Sequence, residues 1–387
     1  MYKKRRAALL LALLLALLLA LPAGGARAME LLPPDIPAPS AILMEASTGK
    51  VLYENNPDAR MSPASVTKVM TILLVAEAID SGRITMADQV QTSENAASMG
   101  GSQVYLAPGE IMRLEDLFKA VVVASGNDAA TALAEHVAGS AQGFVGLMNQ
   151  RAQQLGMQNT HFANCHGLDA QDHFTSARDI ALMSAELLQK HPWVTDYTTI
   201  WMDSLRDGAF QLANTNKLLR SYKGTVGLKT GSTNQAKYCL SAAAERDGMQ
   251  LIAVVLGAPN TNDRFRSAAQ LLDFGFANYK LISLPVDKLR PVPVRGGVLT
   301  EVPITCTPNE VSAVVQKGDN REITAKIFVQ EAVTAPVEPG QKVGEVVFSI
   351  GDNELSRGRL VTADGVARRG IGRQFVMYLE RILMVSP

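Results

Sequence analysis

Three short groups of residues in this 387-residue chain have the types needed for covalent catalysis. SVTK at 65–68 places a serine and a lysine three residues apart, SGND at 125–128 contains Ser-x-Asn, and KTG occupies 229–231. A serine hydroxyl becomes a strong nucleophile when a neighbouring base removes its proton, and a neutral lysine can be that base. The first group therefore predicts a nucleophile, Ser65, and its base, Lys68.

A second Ser-x-x-Lys, STGK, begins at Ser47 and competes with this interpretation. Residues three apart share one face of a helix, and Ser65 and Lys68 begin a helical pattern. Ser47 and Lys50 instead flank a glycine in a predicted hairpin, where the chain reverses. The surroundings favour Ser65 and Lys68 as the catalytic pair.

A lysine base must be uncharged near neutral pH, although its ordinary pKa is about 10.4. Burial lowers a lysine pKa because it disfavours the charged form. The residues after Lys68 read VMTILLVAEAI and are apolar on most sides, which predicts a buried helix. The alternative is a surface lysine in a first helical turn.

The Ser-x-Asn of Ser125 and Asn127 follows an apolar run and precedes a helical pattern. A similar triplet, Ser93-Glu94-Asn95, lies in a polar stretch and is less favoured. Capping of the following helix is the alternative role for Ser125 or Asn127, and it is compatible with catalysis.

KTG, with Lys229, Thr230 and Gly231, lies on the first of three predicted strands. A strand edge that carries Lys and Thr can bind an extended peptide ending in a carboxylate, and glycine allows close approach. An exposed lysine on a sheet edge is the alternative.

The elements around these groups change character along the chain. A predicted hairpin at 39–56 is followed by helical periods over 80–220, then by three strands from 224 with a turn at Asp247-Gly248, and by a helix at 265–280. This order predicts one α/β (α+β) domain at 37–280, with a sheet assembled from both of its ends and a helical insertion between. Short Val-, Ile- and Thr-rich runs predict a small β domain at 285–370.

The two ends of the chain carry possible targeting signals. Residues 1–28 combine four consecutive basic residues at 3–6, an apolar run and a small-residue site, as in a secretory signal peptide. An uncleaved membrane anchor is the alternative. Residues 371–387 predict an amphipathic helix suited to anchoring at a membrane surface, and docking on the β domain is the alternative.

Charge and composition exclude several classes of protein. The first 28 residues hold five Lys and Arg and no acidic residue, so the remainder holds 32 basic and 37 acidic residues, a net charge of −5. No basic stripe with aromatic residues is present, which argues against nucleic-acid binding. Neither the five histidines nor the three cysteines have metal-ligand spacing, so we expect no metal or other cofactor. Cys165, Cys239 and Cys306 are expected to be reduced or buried thiols.

The chain resembles the serine-type D-alanyl-D-alanine carboxypeptidases, which are low-molecular-mass penicillin-binding proteins. Ser-x-x-Lys, Ser-x-Asn and Lys-Thr-Gly occur in the order typical of these proteins and of serine β-lactamases. Phrases such as SPASVTKVMT, SGNDAA and GLKTGSTNQAKYCLSAAA extend the resemblance over nearly the whole chain. It implies the penicillin-binding and β-lactamase-like transpeptidase fold.

The resemblance also implies roles for individual residues. Ser65 would attack the carbonyl between two D-alanines, with Lys68 as base, Ser125 relaying the proton and Asn127 orienting Lys68 and the substrate. A further set would bind the terminal carboxylate and the oxyanion: Lys229, Thr230, Gly231, Ser232 and Arg264. The substrate would be a peptidoglycan stem pentapeptide, β-lactam antibiotics would be inhibitors, and the protein would work at the outer face of the bacterial cytoplasmic membrane.

Two other functions fit parts of the pattern. A β-lactamase shares the three motifs, but residues 160–225 contain no E-x-x-x-N sequence, the signature of the deacylating glutamate. A penicillin-binding wall scaffold without turnover is the other alternative, and the complete motif set argues against it.

Overall fold

The computed structural model describes residues 32–283, 289–306, 312–319 and 321–370. The predicted signal peptide at 1–28 and the predicted helix at 371–387 lie outside these ranges. Within them, no helix combines the length and apolar character needed to cross a membrane.

The helices, in chain order, are α1 (Lys68–Asp80), α2 (Glu94–Ala97), α3 (Leu114–Val122), α4 (Asn127–Ala138), α5 (Ala141–Gln154), α6 (Ala177–Lys190), α7 (Thr195–Thr198), α8 (Leu218–Ser221) and α9 (Thr261–Asn278). Short 3₁₀ turns occupy Ala64–Thr67 and Pro192–Val194. The strands up to α9 are β1 (Ser40–Glu45), β2 (Val51–Asn55), β3 (Gln89–Gln91), β4 (Ile111–Arg113), β5 (Met202–Leu205), β6 (Phe210–Ala213), β7 (Thr225–Thr233), β8 (Lys237–Arg246) and β9 (Met249–Ala258). Those after α9 are β10 (Tyr279–Ser283), β11 (Val292–Arg295), β12 (Glu301–Val302), β13 (Ile304–Thr305), β14 (Ser312–Gln316), β15 (Ile323–Val329), β16 (Val333–Thr334), β17 (Lys342–Ile350) and β18 (Asn353–Thr362).

A five-stranded antiparallel sheet, in the order β2-β1-β9-β8-β7, supports the site. β1 pairs with β9, so strands from both ends of the domain form one sheet. Asp247 and Gly248, with φ of 51° and 75°, form the two-residue turn between β8 and β9. Positive φ at both positions is typical of a hairpin turn that matches strand twist. The predicted sheet and its turn are confirmed.

Helices cover both faces of this sheet. On one face α6 packs against β9 and β1, and α1 packs against α6 and α4. On the other face α9 packs against β9 and β8. Ten of the thirteen residues of α1 are buried, as the apolar sequence predicts. The predicted α+β fold with a helical insertion between β2 and β7 is confirmed.

The helix predicted at 265–280 begins earlier and ends earlier than expected. Asn260 accepts a hydrogen bond from the backbone N–H of Asp263 and caps the helix at Thr261. Tyr279 and Lys280 belong instead to β10, which pairs with β14. Side-chain capping and strand pairing set boundaries that apolar periodicity alone does not locate.

The region after α9 is β-rich, as predicted. A four-stranded sheet has the order β13-β18-β17-β15, and smaller sheets have the orders β12-β11-β16 and β10-β14. A separate apolar core that includes Val302, Val343 and Leu360 holds these sheets together. The domain boundaries at 37–280 and 285–370 stay a prediction.

Candidate active site

Ser65 and Lys68 lie together at the start of α1. Lys68 Nζ is 3.0 Å from Ser65 Oγ, 2.6 Å from Asn127 Oδ1 and 2.7 Å from the backbone oxygen of His166. Lys68 is fully buried, whereas Ser65 is half-buried and stays partly accessible to solvent. The 3₁₀ turn before α1 directs both side chains to the same point, as their spacing predicts.

The surroundings of Lys68 favour an uncharged amine. Burial lowers the pKa of Lys68 to about 7. A neutral amine has two N–H groups and one lone pair. The carbonyl oxygens of Asn127 and His166 accept the two N–H groups, which leaves the lone pair for the hydroxyl hydrogen of Ser65. This arrangement is that of a general base and its nucleophile.

Ser125 lies two residues before Asn127, whose side chain bonds to Lys68. It is 4% exposed, and its Oγ has no hydrogen-bond partner. Its φ of 64° lies in the left-handed region, which is costly for a residue with a side chain. Such local strain is concentrated at functional sites, and the free hydroxyl can exchange a proton with a bound molecule.

Asn127 and Asp128 hold the loop at residues 100–106. Asn127 Nδ2 donates to the oxygen of Gly100, and the backbone N–H of Asn127 donates to the oxygen of Ser102. The buried carboxylate of Asp128 accepts backbone N–H groups of Val104 and Leu106 from the same loop. The role of Asp128 was not predicted from the sequence, although an acidic residue directly after Ser-x-Asn and before an apolar helical pattern was a signal that could have indicated it.

KTG occupies the outer strand of the sheet. β7 is last in the strand order, so its outer edge has no partner strand among the described residues. Lys229 is buried, its Nζ donates to the oxygen of Thr230, and Thr230 Oγ1 donates to Thr215 Oγ1. Burial, with Lys68 and Arg264 nearby, lowers the pKa of Lys229. An incoming carboxylate would reverse this shift and restore its charge.

Two glycines bring neighbouring chain segments against the backbone of Ala64 and Ser65. A Cβ on Gly231 would lie 2.9 Å from the Ser65 nitrogen, and one on Gly167 would lie 1.9 Å from the Ala64 oxygen. Only a residue without a side chain fits either position. Gly231 therefore places the KTG strand beside Ser65, and Gly167 places the backbone oxygen of His166 beside Lys68. The role of Gly167 was not identified from the sequence.

Arg264 lies behind the KTG strand. Its Nη1 donates to the backbone oxygen of Gly231 at 3.1 Å, and its guanidinium is 4.6 Å from the centre of the Phe265 ring. Arg264 Nε is buried without a partner. Arg264 thus supports the strand next to Ser232, which is exposed at the cleft. Direct contact of Arg264 with a carboxylate stays a prediction.

The two competing motifs have local structural roles. Ser47 Oγ donates to the buried carboxylate of Glu45, which also accepts the N–H and hydroxyl of Thr48. Ser93 caps α2 and donates to Glu135, and Asn95 donates to the same carboxylate. Neither group lies beside Lys68.

The cysteines and acidic groups suggest no second chemistry. Cys165 and Cys239 are free thiols, and burial raises the pKa of each to about 11. Cys306 is buried in the β-rich region. In the part of the chain that the structure describes, no cluster of His, Cys, Asp and Glu could hold a metal ion.

Comparison with known proteins gives the family. The family model for D-alanyl-D-alanine carboxypeptidase matches residues 27–260, and the model for the C-terminal domain of penicillin-binding protein 5 matches residues 286–368. The D-alanyl-D-alanine carboxypeptidase DacF of Bacillus subtilis is 40% identical over 354 residues, which cover 89% of this chain and 89% of DacF.

Solved structures agree with this relationship. Penicillin-binding protein 5 from Haemophilus influenzae is 32% identical with a TM-score of 0.73, covering 88% of this chain and 100% of that chain. Penicillin-binding protein D2 from Listeria monocytogenes, in its ampicillin-bound form, is 33% identical with a TM-score of 0.58, covering 63% and 100%. The chain therefore belongs to the D-alanyl-D-alanine carboxypeptidase family.

Proposed function

We propose that this protein removes the terminal D-alanine from peptidoglycan stem pentapeptides through an acyl-enzyme on Ser65. The observation that carries this proposal is the buried Lys68 amine, held 3.0 Å from the Ser65 hydroxyl by two carbonyl oxygens. Family membership as a carboxypeptidase and hydrolase gives the reaction class.

The reaction follows from the positions of the groups. Ser65 Oγ attacks the carbonyl between the two D-alanines as its proton passes to Lys68. The proton then reaches the leaving amine of the terminal D-alanine through Ser125, whose hydroxyl has no other partner. Lys229 and Thr230 bind the terminal carboxylate. Water then attacks the acyl-enzyme and releases the shortened peptide.

The oxyanion would be bound by backbone N–H groups of Ser65 and Ser232. The close approach of Gly231 to the Ser65 nitrogen supports this pairing, because it brings the next residue of β7 to the same place. One such donor typically contributes about 2.7–4 kcal/mol of transition-state stabilisation. A β-lactam presents a similar carbonyl and would acylate Ser65, which makes the protein penicillin-binding.

A β-lactamase needs a group that activates water for rapid deacylation. In class A enzymes a glutamate has this role, but among the described residues no carboxylate hydrogen-bonds to Ser65 or Lys68. We therefore propose slow release of a bound β-lactam. The idle-scaffold alternative has no specific support, because the catalytic groups are in place.

D-alanine release from a pentapeptide ending in D-Ala-D-Ala tests the proposal. We expect release by the wild-type protein and by Ser47→Ala, and none by Ser65→Ala. Fluorescent penicillin should label the same two proteins. Labelling of the wild type without release would support the binding-only alternative, and release by Ser65→Ala would overturn the choice of nucleophile.

We also propose export and attachment to the outer face of the cytoplasmic membrane. The support is the sequence pattern of residues 1–28 and the amphipathic pattern of residues 371–387. Export predicts a mature protein that begins at Met29, which intact-mass measurement can check. Anchoring predicts that a chain ending at residue 370 fails to sediment with lipid vesicles that bind the longer chain.

A further inference from the structure

A cavity of about 500 Å³ opens beside the end of β7. Thr233, the last residue of β7, donates its hydroxyl to Asp169 Oδ1 at 2.8 Å, so the strand and the loop after Gly167 meet there. The lining residues that carry polar or aromatic groups include Arg60, Ser62, Asp169, Asp172, Phe174 and Gln235. Ser62 lies only three residues before the nucleophile, so the cavity adjoins the catalytic cleft.

The proposed function fixes the direction in which a substrate would approach this cavity. The terminal carboxylate lies at Lys229 and Thr230, and the scissile carbonyl lies two residues further along β7, at Ser232. The substrate therefore runs antiparallel to β7, with its amino-terminal part toward Thr233. A strand advances about 3.3 Å per residue. The third residue from the carboxyl end of the substrate consequently reaches the end of β7 and the mouth of the cavity.

Charged side chains of both signs lie around the cavity and can contact a ligand. Arg60, Asp169 and Asp172 are all exposed to solvent. The Arg60 guanidinium lies 4.9 Å from the centre of the Phe174 ring, and its Nε donates to Asn159 Oδ1. Within the described ranges, these three charges form no ion pair with one another or with other side chains. A ligand with one cationic and one anionic group could therefore pair with both the carboxylates and the guanidinium.

We propose that this cavity is the subsite for the third residue from the carboxyl end of the stem peptide, and that it favours a side chain ending in an α-amino-carboxylate. The carboxylate of that side chain pairs with Arg60, and its ammonium group pairs with Asp172 and Asp169. A side chain with an amine alone gains only the second contact. This inference rests on the proposed carboxypeptidase function, which sets the direction of the substrate.

Three peptides of the form acyl-X-D-Ala-D-Ala test the subsite, where X is diaminopimelate, lysine or norleucine. For the wild type we expect kcat/KM for D-alanine release to fall in that order. Arg60→Gln should lower the value for the diaminopimelate peptide alone, by up to about fivefold, which is the size expected of a solvent-exposed charge pair. Asp172→Asn should lower the values for the diaminopimelate and lysine peptides and leave the norleucine peptide unchanged.

Arg83→Gln is the matched control, since Arg83 is an exposed arginine outside the cavity. Equal kcat/KM for the three peptides, unaltered by Arg60→Gln and Asp172→Asn, would overturn the subsite while D-alanine release still supports the proposed function. Failure of the wild type to release D-alanine from any of the peptides would instead contradict the proposed function. Penicillin labelling of each variant confirms that the catalytic cleft is intact.

Discussion

The Lys68 amine lies 3.0 Å from the Ser65 hydroxyl, and Lys68 has no exposure to solvent. Burial lowers the pKa of this lysine, so the amine can be uncharged near neutral pH and accept a proton. Asn127 and His166 supply carbonyl oxygens that fix the direction of the amine. The position of the Lys68 amine beside Ser65 therefore depends on groups far apart in the sequence.

The pH dependence of acylation follows from Lys68. Because its pKa lies at about 7, the neutral fraction rises about tenfold per pH unit below that value and levels off above it. We expect the second-order rate constant for acylation by a fluorescent penicillin to follow this curve. Lys68→Arg, which stays charged, should abolish acylation, whereas Lys50→Arg should not. A rate that is constant from pH 5.5 to 8.5 would contradict the role of Lys68 as the neutral base.

Ser125→Ala should lower the rate of D-alanine release without lowering the stability of the protein. Since Ser125 Oγ has no partner in the protein, its loss should leave the melting temperature nearly unchanged. Loss of a proton relay typically lowers a rate by about 10²–10⁴-fold, and we expect D-alanine release to fall in this range.

Ser93→Ala is the control for Ser125→Ala. Ser93 caps α2, so its loss should cost about 1 kcal/mol of stability and leave turnover unchanged. The reverse pattern, with turnover lost in Ser93→Ala and kept in Ser125→Ala, would refute the assignment of the Ser-x-Asn motif.

Gly231→Ala tests the close approach of β7 to the nucleophile. The added Cβ would lie 2.9 Å from the Ser65 nitrogen, so the strand or the 3₁₀ turn must shift. A displacement of this kind near reacting groups can cost about 10²-fold in rate. We expect a loss of that order in acylation, measured with the same penicillin.

Gly146→Ala is the matched substitution. Gly146 lies within α5, and a Cβ there meets nothing within 4 Å. Alanine should therefore stabilise the protein by about 0.5–1 kcal/mol and leave acylation unchanged. Full activity in Gly231→Ala would show that the strand does not need this contact.

The burial of His173 should make the folded protein less stable in acid. Its Nδ1 accepts the Ala163 N–H, and its Nε2 lies 2.8 Å from Thr67 Oγ1, in the turn that carries the nucleophile. Burial lowers the pKa of His173 to about 4, from 6.5 in an exposed histidine. The stability that neutral His173 gives the folded state is fully present above pH 6.5. As the pH falls toward 4, the free energy of unfolding decreases by about 3 kcal/mol.

Urea unfolding of wild type and His173→Gln at pH 7.5 and pH 4 checks this prediction. The variant should gain stability relative to the wild type at the lower pH. A difference between the two proteins that does not change with pH would show that His173 is not held neutral by the fold.

The sequence predicts the parts of the site whose signal lies in side-chain types and spacing. Ser65 lies in the 3₁₀ turn before α1, and Lys68 is the first residue of α1. Ser125 precedes α4, Asn127 is the first residue of α4, and KTG lies on the predicted strand. Ser65 is favoured over Ser47 as the nucleophile because a helix places its side chain beside that of the lysine, whereas a hairpin turn does not. The structure shows a local role for STGK, because the hydroxyls of Ser47 and Thr48 donate hydrogen bonds to the buried carboxylate of Glu45.

The parts that the sequence does not predict depend on the backbone and on distant pairing. The His166 oxygen that holds Lys68 is a main-chain atom, which no residue type indicates. The close contact of Gly167 with Ala64 becomes visible only when the chain is folded. Asp128 binds N–H groups more than twenty residues away. Local patterns therefore locate the reacting groups but not the contacts that hold them.

Mapping the covalent penicillin adduct shows directly whether Ser65 is the nucleophile. After reaction with penicillin, tryptic digestion should place the added mass on the peptide 61–68, MSPASVTK, and fragmentation should assign it to Ser65 rather than Ser62. We expect one adduct per chain, formed faster as the pH rises toward 7. An adduct on Ser47 or Ser125, with Ser65 unmodified, would contradict it.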